Sequence, residues 1–171
     1  MRSEVATDLY IIGFLMLKSR QALRKNVVSA FNGASNLRPK GAVVTDHVET
    51  LNAKRLVNYV PAWVTPDEDI FDYRYGIDAL SLRGLRFILG RLLIYCIDHP
   101  NSEVCDALIV FLGHTAPSAG KTRKMQKILS PLEARLLFQV VQWLSEERSE
   151  ENYNSEDLMA AIEETKALAS I

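Results

Sequence analysis

Chemically versatile residues are scarce in this chain, with two cysteines, two tryptophans and three scattered histidines in 171 residues. Two thiols cannot build a disulfide scaffold or a four-cysteine zinc site, and Cys96 and Cys105 both sit in apolar runs, where free buried thiols of a reducing compartment are found. No Ser/His/Asp or Cys/His arrangement can be assembled by spacing, so no catalytic residue is assigned and the chain is not read as an enzyme. An excess of charge is missing as well. Lys plus Arg number 20 against 21 for Asp plus Glu, giving a net charge of -1 and a pI near 6.3, which removes any global attraction to nucleic acid or to an anionic membrane. Long apolar runs are also lacking. Leu9-Tyr-Ile-Ile-Gly-Phe-Leu-Met-Leu17 resembles a signal peptide's apolar stretch, but Glu4 and Asp8 precede it, Lys18 and Arg20 follow it, and no small-x-small cleavage site is near. It is expected to be the middle of a structural helix in a cytoplasmic protein.

What the chain does have is helical periodicity. From Phe87 to Ile97 only Gly90 and Arg91 interrupt an apolar run, and a helix that is apolar on most of its circumference is a buried one. Ser81 is placed to cap it and His99-Pro100 to end it, because proline disfavours the α conformation in the residue before it. Gly84 and Gly90 are expected to be notches where neighbours approach closely. A first helix is predicted from about Ser3 to Phe31, stopped by Asn32-Gly33. A second follows a Thr45 or Asp46 cap and closes at Pro61, and Thr65-Pro66-Asp67-Glu68 opens a short one to about Tyr75. Ser102 caps a helix over Glu103 to Leu112, for which Gly113 is the expected left-handed stop. Ser130-Pro131-Leu132-Glu133 is a capping box opening a helix to about Arg148, and Ser155 begins a terminal helix with a weak apolar stripe. These elements predict an all-α fold, a single-domain orthogonal helical bundle of about six to seven helices around a buried central helix over 81–98. Residues 1–150 form the helical domain, and 151–171 form an acidic connector with a weakly docked helix.

Four segments in order carry a resemblance: Val28-Ser-Ala-Phe-Asn-Gly33, Pro39-Lys-Gly41, Ala79-Leu-Ser-Leu-Arg-Gly-Leu-Arg-Phe-Ile-Leu-Gly-Arg-Leu-Leu93 and Ile128-Leu-Ser-Pro-Leu-Glu-Ala-Arg135. Over roughly residues 27 to 145 the chain resembles a family of small uncharacterised bacterial proteins, a domain of unknown function. That family has an Ala-Phe-x-Gly start, a central Leu-rich helix and a Leu-Ser-Pro closing helix. This chain has Leu89-Gly90-Arg91 where the family has Leu-Pro-Ala. The resemblance implies a helical fold and brings no catalytic residue, ligand or cofactor with it.

Several clusters invite chemistry and are outweighed by plainer explanations. Gly113 to Thr122 ends in Gly120-Lys121-Thr122, as a phosphate-binding loop does, but Thr115 stands where that loop needs glycine, and the loop needs a strand before it. Cys96, His99, Cys105 and Asp98 are zinc-type ligands around a tight turn, yet two core thiols and a helix-end histidine explain them, and no metal is assigned. Asp67, Glu68, Asp69 and Asp72 are explained by the dipole of a helix start. Arg91, inside the apolar run, is expected to snorkel to an edge or to pair with Asp106 or Glu103.

The remaining signal is surface charge in two places. Lys121, Arg123, Lys124 and Lys127 form a basic cluster, and Glu146, Glu147, Glu150 and Glu151 form an acidic one. Paired charged segments on a small domain without a catalytic set point to a protein-protein interaction module, of the immunity or antitoxin type with a toxin as partner. A homodimer through the N-terminal helix is a further expectation, with no membrane and no cofactor. The alternative is nucleotide or nucleic-acid binding through the Gly113–Lys127 loop, which has too narrow a basic face and no aromatic to stack on a base.

Overall fold

The computed structural model describes residues 19–31, 40–44, 50–59, 76–77, 79–113, 125–148 and 155–170. Within them the protein is all-α, with six helices: α1 over 19–31, α2 Thr50–Tyr59, α3 Leu82–Asp98, α4 Glu103–Gly113, α5 Pro131–Glu147 and α6 Ser155–Ala169. The only β pairing among the described residues is an isolated antiparallel bridge between Val43 and Leu80. The predicted short helix from Thr65 to Tyr75, the stretch Leu9 to Leu17 and the loop from His114 to Lys124 lie outside the described residues.

Helix α3 is the centre of the bundle. Every residue from Ile88 to Ile97 is buried, which requires neighbours on all sides, and α2, α4 and α5 pack on it. Its ends are set by local chemistry. The Ser81 hydroxyl accepts the Gly84 N–H at 3.1 Å, and the His99 N–H donates to the Tyr95 carbonyl at 2.7 Å in the last turn. Just before the helix, Val44 N–H donates to Ala79 carbonyl and Ser81 N–H to Ala42 carbonyl, each at 2.8 Å. This tie draws Ala42 so close to Gly84 that an added Cβ would overlap the Ala42 carbonyl, so Gly84 is the notch its position predicts.

The other caps follow the same rules. Ser102 Oγ accepts the Cys105 N–H at 3.3 Å at the start of α4. At α5 both halves of the capping box form: Glu133 N–H donates to Ser130 Oγ, while the Glu133 carboxylate accepts the Ser130 N–H at 2.6 Å. Glu133 is buried, and Arg86 of α3 reaches its two carboxylate oxygens at 3.3 and 3.4 Å, so one side chain both caps α5 and ties it to the central helix.

Gly113 departs from its expected role. It ends α4 without a left-handed φ, which among the described glycines occurs only at Gly41, with φ 68°. Its missing side chain serves packing instead: a Cβ there would overlap the Asp157 carbonyl and lie 3.1 Å from Ala161 N and 3.3 Å from Ala160 Cβ. Through this contact α6 lies across α4 and α5 with Leu158, Ala161, Thr165 and Leu168 buried. The apolar stripe of α6 is weak because two of these four positions are small or polar. Ala161 permits backbone approach, and Thr165 Oγ1 returns its proton to the Ala161 carbonyl at 2.6 Å.

Candidate functional site

On the outer side of the bundle α1 and α5 run beside a groove of about 370 Å³, lined by Ser19, Ala22, Leu23 and Asn26 from α1 and by Gln139, Gln142, Trp143 and Glu146 from α5. On each helix the four residues follow three- and four-residue steps, so each set is one continuous face. Trp143, 8% exposed, and half-buried Leu23 make an apolar floor, and Gln139, Gln142, Glu146 and Asn26 stand exposed along the rims. Amide side chains carry both donor and acceptor and no charge, so they can hydrogen-bond a docking chain with little desolvation cost.

The electrostatics of the groove are set by the end of α5. Helix carbonyls give its C-terminus a partial negative charge, Glu146 and Glu147 add to it, and no basic residue lies in the last turn. Arg148, the C-cap residue, is turned away from this end. Its buried guanidinium reaches across to Asp106 of α4, with Nη2 to Oδ1 at 2.5 Å. The groove therefore closes on an acidic end that favours a cation.

The residues of the two predicted charge clusters are only partly described. Lys127 is exposed in the turn before α5, where Met125 and Leu129 anchor the chain, and Glu146 and Glu147 are at the far end of the same helix, roughly 20 Å away at 1.5 Å per residue. The described acidic and basic positions are thus not brought together. Lys121, Arg123, Lys124, Glu150 and Glu151 lie outside the described residues. Residues 107–112 are helical, so no strand leads into Gly113–Thr122 in the way a phosphate-binding loop requires.

Compared with protein-family models, with curated proteins and with solved structures, the chain matches none. Its own geometry therefore carries the functional reading. Among the described residues no group of three His, Cys, Asp or Glu side chains is placed to hold a metal ion, and no helix is long and apolar enough to cross a membrane. Asp98 is instead engaged by α1: Arg24 Nε donates to both carboxylate oxygens at 3.1 and 3.3 Å, and Arg20 donates to the Asp98 carbonyl at 2.8 Å. Cys105 Sγ donates to the His99 carbonyl at 3.6 Å, and the Cys96 thiol is pushed well up from its ordinary pKa by burial and then by neighbouring Cys105. Both thiols are fully buried, which makes them packing groups and not nucleophiles.

Arg91 corrects the expectation of an edge position or a pair with Asp106 or Glu103. It is 4% exposed, Asp106 is taken by Arg148, and Arg91 Nη1 is buried with no hydrogen-bond partner. Desolvation brings its pKa down to about 10, so it remains a cation at neutral pH.

Of the groove residues only Glu146 is marked by the charge pattern of the sequence, although a signal for others is present. Asn26, Gln139 and Gln142 are uncharged polar residues at helical steps beside the apolar Leu23 and Trp143. That pattern marks a face that is neither core nor ordinary solvated surface.

Proposed function

We propose that this chain is a protein-interaction module that receives a basic, amphipathic helix of a partner protein in the groove between α1 and α5. The observation that carries the reading is the composition of that groove, an apolar Trp143–Leu23 floor between amide rims that ends at Glu146 and the uncompensated C-terminus of α5. Two adjacent helices with a furrow between them accept a third helix by the packing that joins helices inside a bundle, with anchors at three- and four-residue steps. Trp143 is the anchor type that dominates such interfaces, and Glu146 selects a cation at one end and so fixes the orientation of the guest. An immunity- or antitoxin-type role, with a toxin as the guest, is the biological form of this reading.

The test is site-specific. A photo-crosslinking residue at Gln142 or Asn26 is expected to trap a partner in the source cells, and one at the exposed Glu163 of α6 is not. Glu146→Lys is expected to weaken capture by tenfold or more, with the loss partly reversed by an acidic substitution in the trapped helix. Equal trapping at Gln142 and Glu163, or capture indifferent to Glu146→Lys, would refute the groove as the interface. Trapping of RNA or DNA in its place would favour the nucleic-acid alternative.

A further inference from the structure

The face of α5 that borders the groove continues beyond Gln139 toward the start of the helix. Arg135 and Leu132 extend it by steps of four and three residues, and both are exposed, Leu132 at 54%. Arg135 Nε donates to the Pro131 carbonyl at 3.2 Å, which keeps the guanidinium at this end of the helix. From start to end the face therefore reads an exposed leucine, a cation, the amides with Trp143, and then Glu146.

The chain enters α1 at the Glu146 end of this face. Arg20 and Arg24, in the first turns of α1, bind Asp98, the last residue of α3, and Arg148 at the end of α5 binds Asp106 in the first turn of α4. One end of the bundle thus holds the start of α1 together with the C-termini of α3 and α5. Residues 1–18 lie outside the described residues, and the helix expected from Ser3 runs into α1 with no glycine or proline between Phe14 and Phe31. Continued along the axis of α1, Asp8 falls about 16 Å beyond Ser19 at 1.5 Å per residue, away from its own bundle. The uncharged run Leu9 to Leu17 needs burial, but to fold back into its own groove the helix would have to break between Phe14 and Ser19, where no breaker stands.

We infer that the groove is occupied by residues 5–18 of a second copy of this chain, in a two-fold dimer whose copies exchange these segments. The helical steps match. Val5, Asp8, Ile12 and Met16 are separated by three, four and four residues, as are Leu132, Arg135, Gln139 and Trp143 of α5. Laid parallel to α5, the segment puts Val5 on Leu132, Asp8 beside Arg135 and Met16 on Trp143, a sulfur–aromatic contact, and it brings Lys18 to the acidic end at Glu146. The direction agrees with the exchange. A segment that leaves one bundle at the Glu146 end, with Asp8 farthest out, enters the second bundle at the same end and carries Asp8 on to Arg135. The inference rests on the groove as a helix-docking site and adds its regulation, since a partner helix must displace the exchanged segment before it can bind.

Sedimentation equilibrium of the full chain and photo-crosslinking between isotopically light and heavy copies test the exchange. The chain is expected to be a dimer, and a photo-crosslinking residue at Gln142 of a light copy is expected to trap the peptide around Met16 of a heavy one. Asp8→Lys and Arg135→Glu are each expected to raise the dimer dissociation constant about tenfold, because two-fold symmetry repeats each reversed contact, and the two together should restore it. If a variant does not fold, the wild-type mass and crosslink still decide. A monomer in solution, including one that binds anionic vesicles through this segment, crosslinks confined to one copy, or a dimer indifferent to both reversals would each overturn the assignment. A monomer that still traps a partner at Gln142 overturns the exchange and leaves the partner reading standing, whereas a dimer sensitive to Asp8→Lys that traps no partner upholds the exchange and overturns the partner reading.

Discussion

Replacing Gly113 by alanine sets two effects of opposite sign against each other. Gly113 is the last residue of α4 and has no left-handed φ, so helix propensity alone predicts that alanine stabilises, by up to about 1 kcal/mol. The packing predicts the reverse. The new methyl would overlap the Asp157 carbonyl of α6 and press on Ala161 N at 3.1 Å and Ala160 Cβ at 3.3 Å. The first two of these are backbone atoms of a helix, which cannot turn aside as a long side chain can, so α6 must shift as a body. Overpacking costs about 1–3 kcal/mol, and outright overlap with a backbone oxygen places this case in the upper part of that range, about 2–3 kcal/mol, so with the propensity gain of up to about 1 kcal/mol subtracted the net loss is about 1–2 kcal/mol. For a chain of this size that corresponds to a fall of about 2–8 °C in the unfolding midpoint, read by far-ultraviolet circular dichroism. The control is Gly41→Ala, where φ is 68° and no atom lies within 4 Å of the added Cβ. Alanine there is expected to cost about 1 kcal/mol through backbone strain alone. Asparagine, which tolerates the left-handed region, should restore much of the loss at position 41 and none at 113. A Gly113→Ala protein as stable as the wild type, or more so, would show that α6 does not rest on α4 at this point.

Two further outcomes follow from the buried polar groups. Glu133→Ala is expected to lose about 2–3 kcal/mol, since it removes the cap on Ser130 N–H and leaves Arg86 without its carboxylate, while Glu133→Gln keeps the cap geometry and loses less. A double-mutant cycle with Arg86→Ala by urea unfolding should give a coupling of about 0.5–1 kcal/mol, because Arg86 is 43% exposed and solvent weakens the pair. The raised Cys96 pKa, caused first by burial and then by Cys105, has a definite sign: the folded state holds this proton at pH values where the unfolded chain has released it. Stability is therefore unaffected by Cys96 below roughly pH 8 and falls as pH rises past about 9, so the wild type should lose ground against Cys96→Ala between pH 8 and 10. A constant difference across that interval would contradict the burial of the thiol.

Local chemistry made much of this fold legible from the sequence. The cap at Ser81, the cap at Ser102 and the reciprocal box of Ser130 and Glu133 need only residues three positions apart, so spacing alone identifies them. The apolar run of α3 dictated a helix buried on all sides, since no single face could hide it. The residues whose role depends on a distant neighbour could not be decided that way. Gly113 at a helix end has the same sequence signature whether it turns left-handed or lets another helix approach, and only the crossing of α6 selects the second. Asp106 could serve Arg91 or Arg148 by charge, and the placement of α4 beside the end of α5 gave it to Arg148. The groove likewise exists only because α1 and α5, more than a hundred residues apart in sequence, are brought side by side around α3. Hydrogen bonds within one turn are written in the order of residues, whereas a counter-ion or a furrow belongs to whichever helices the core draws together.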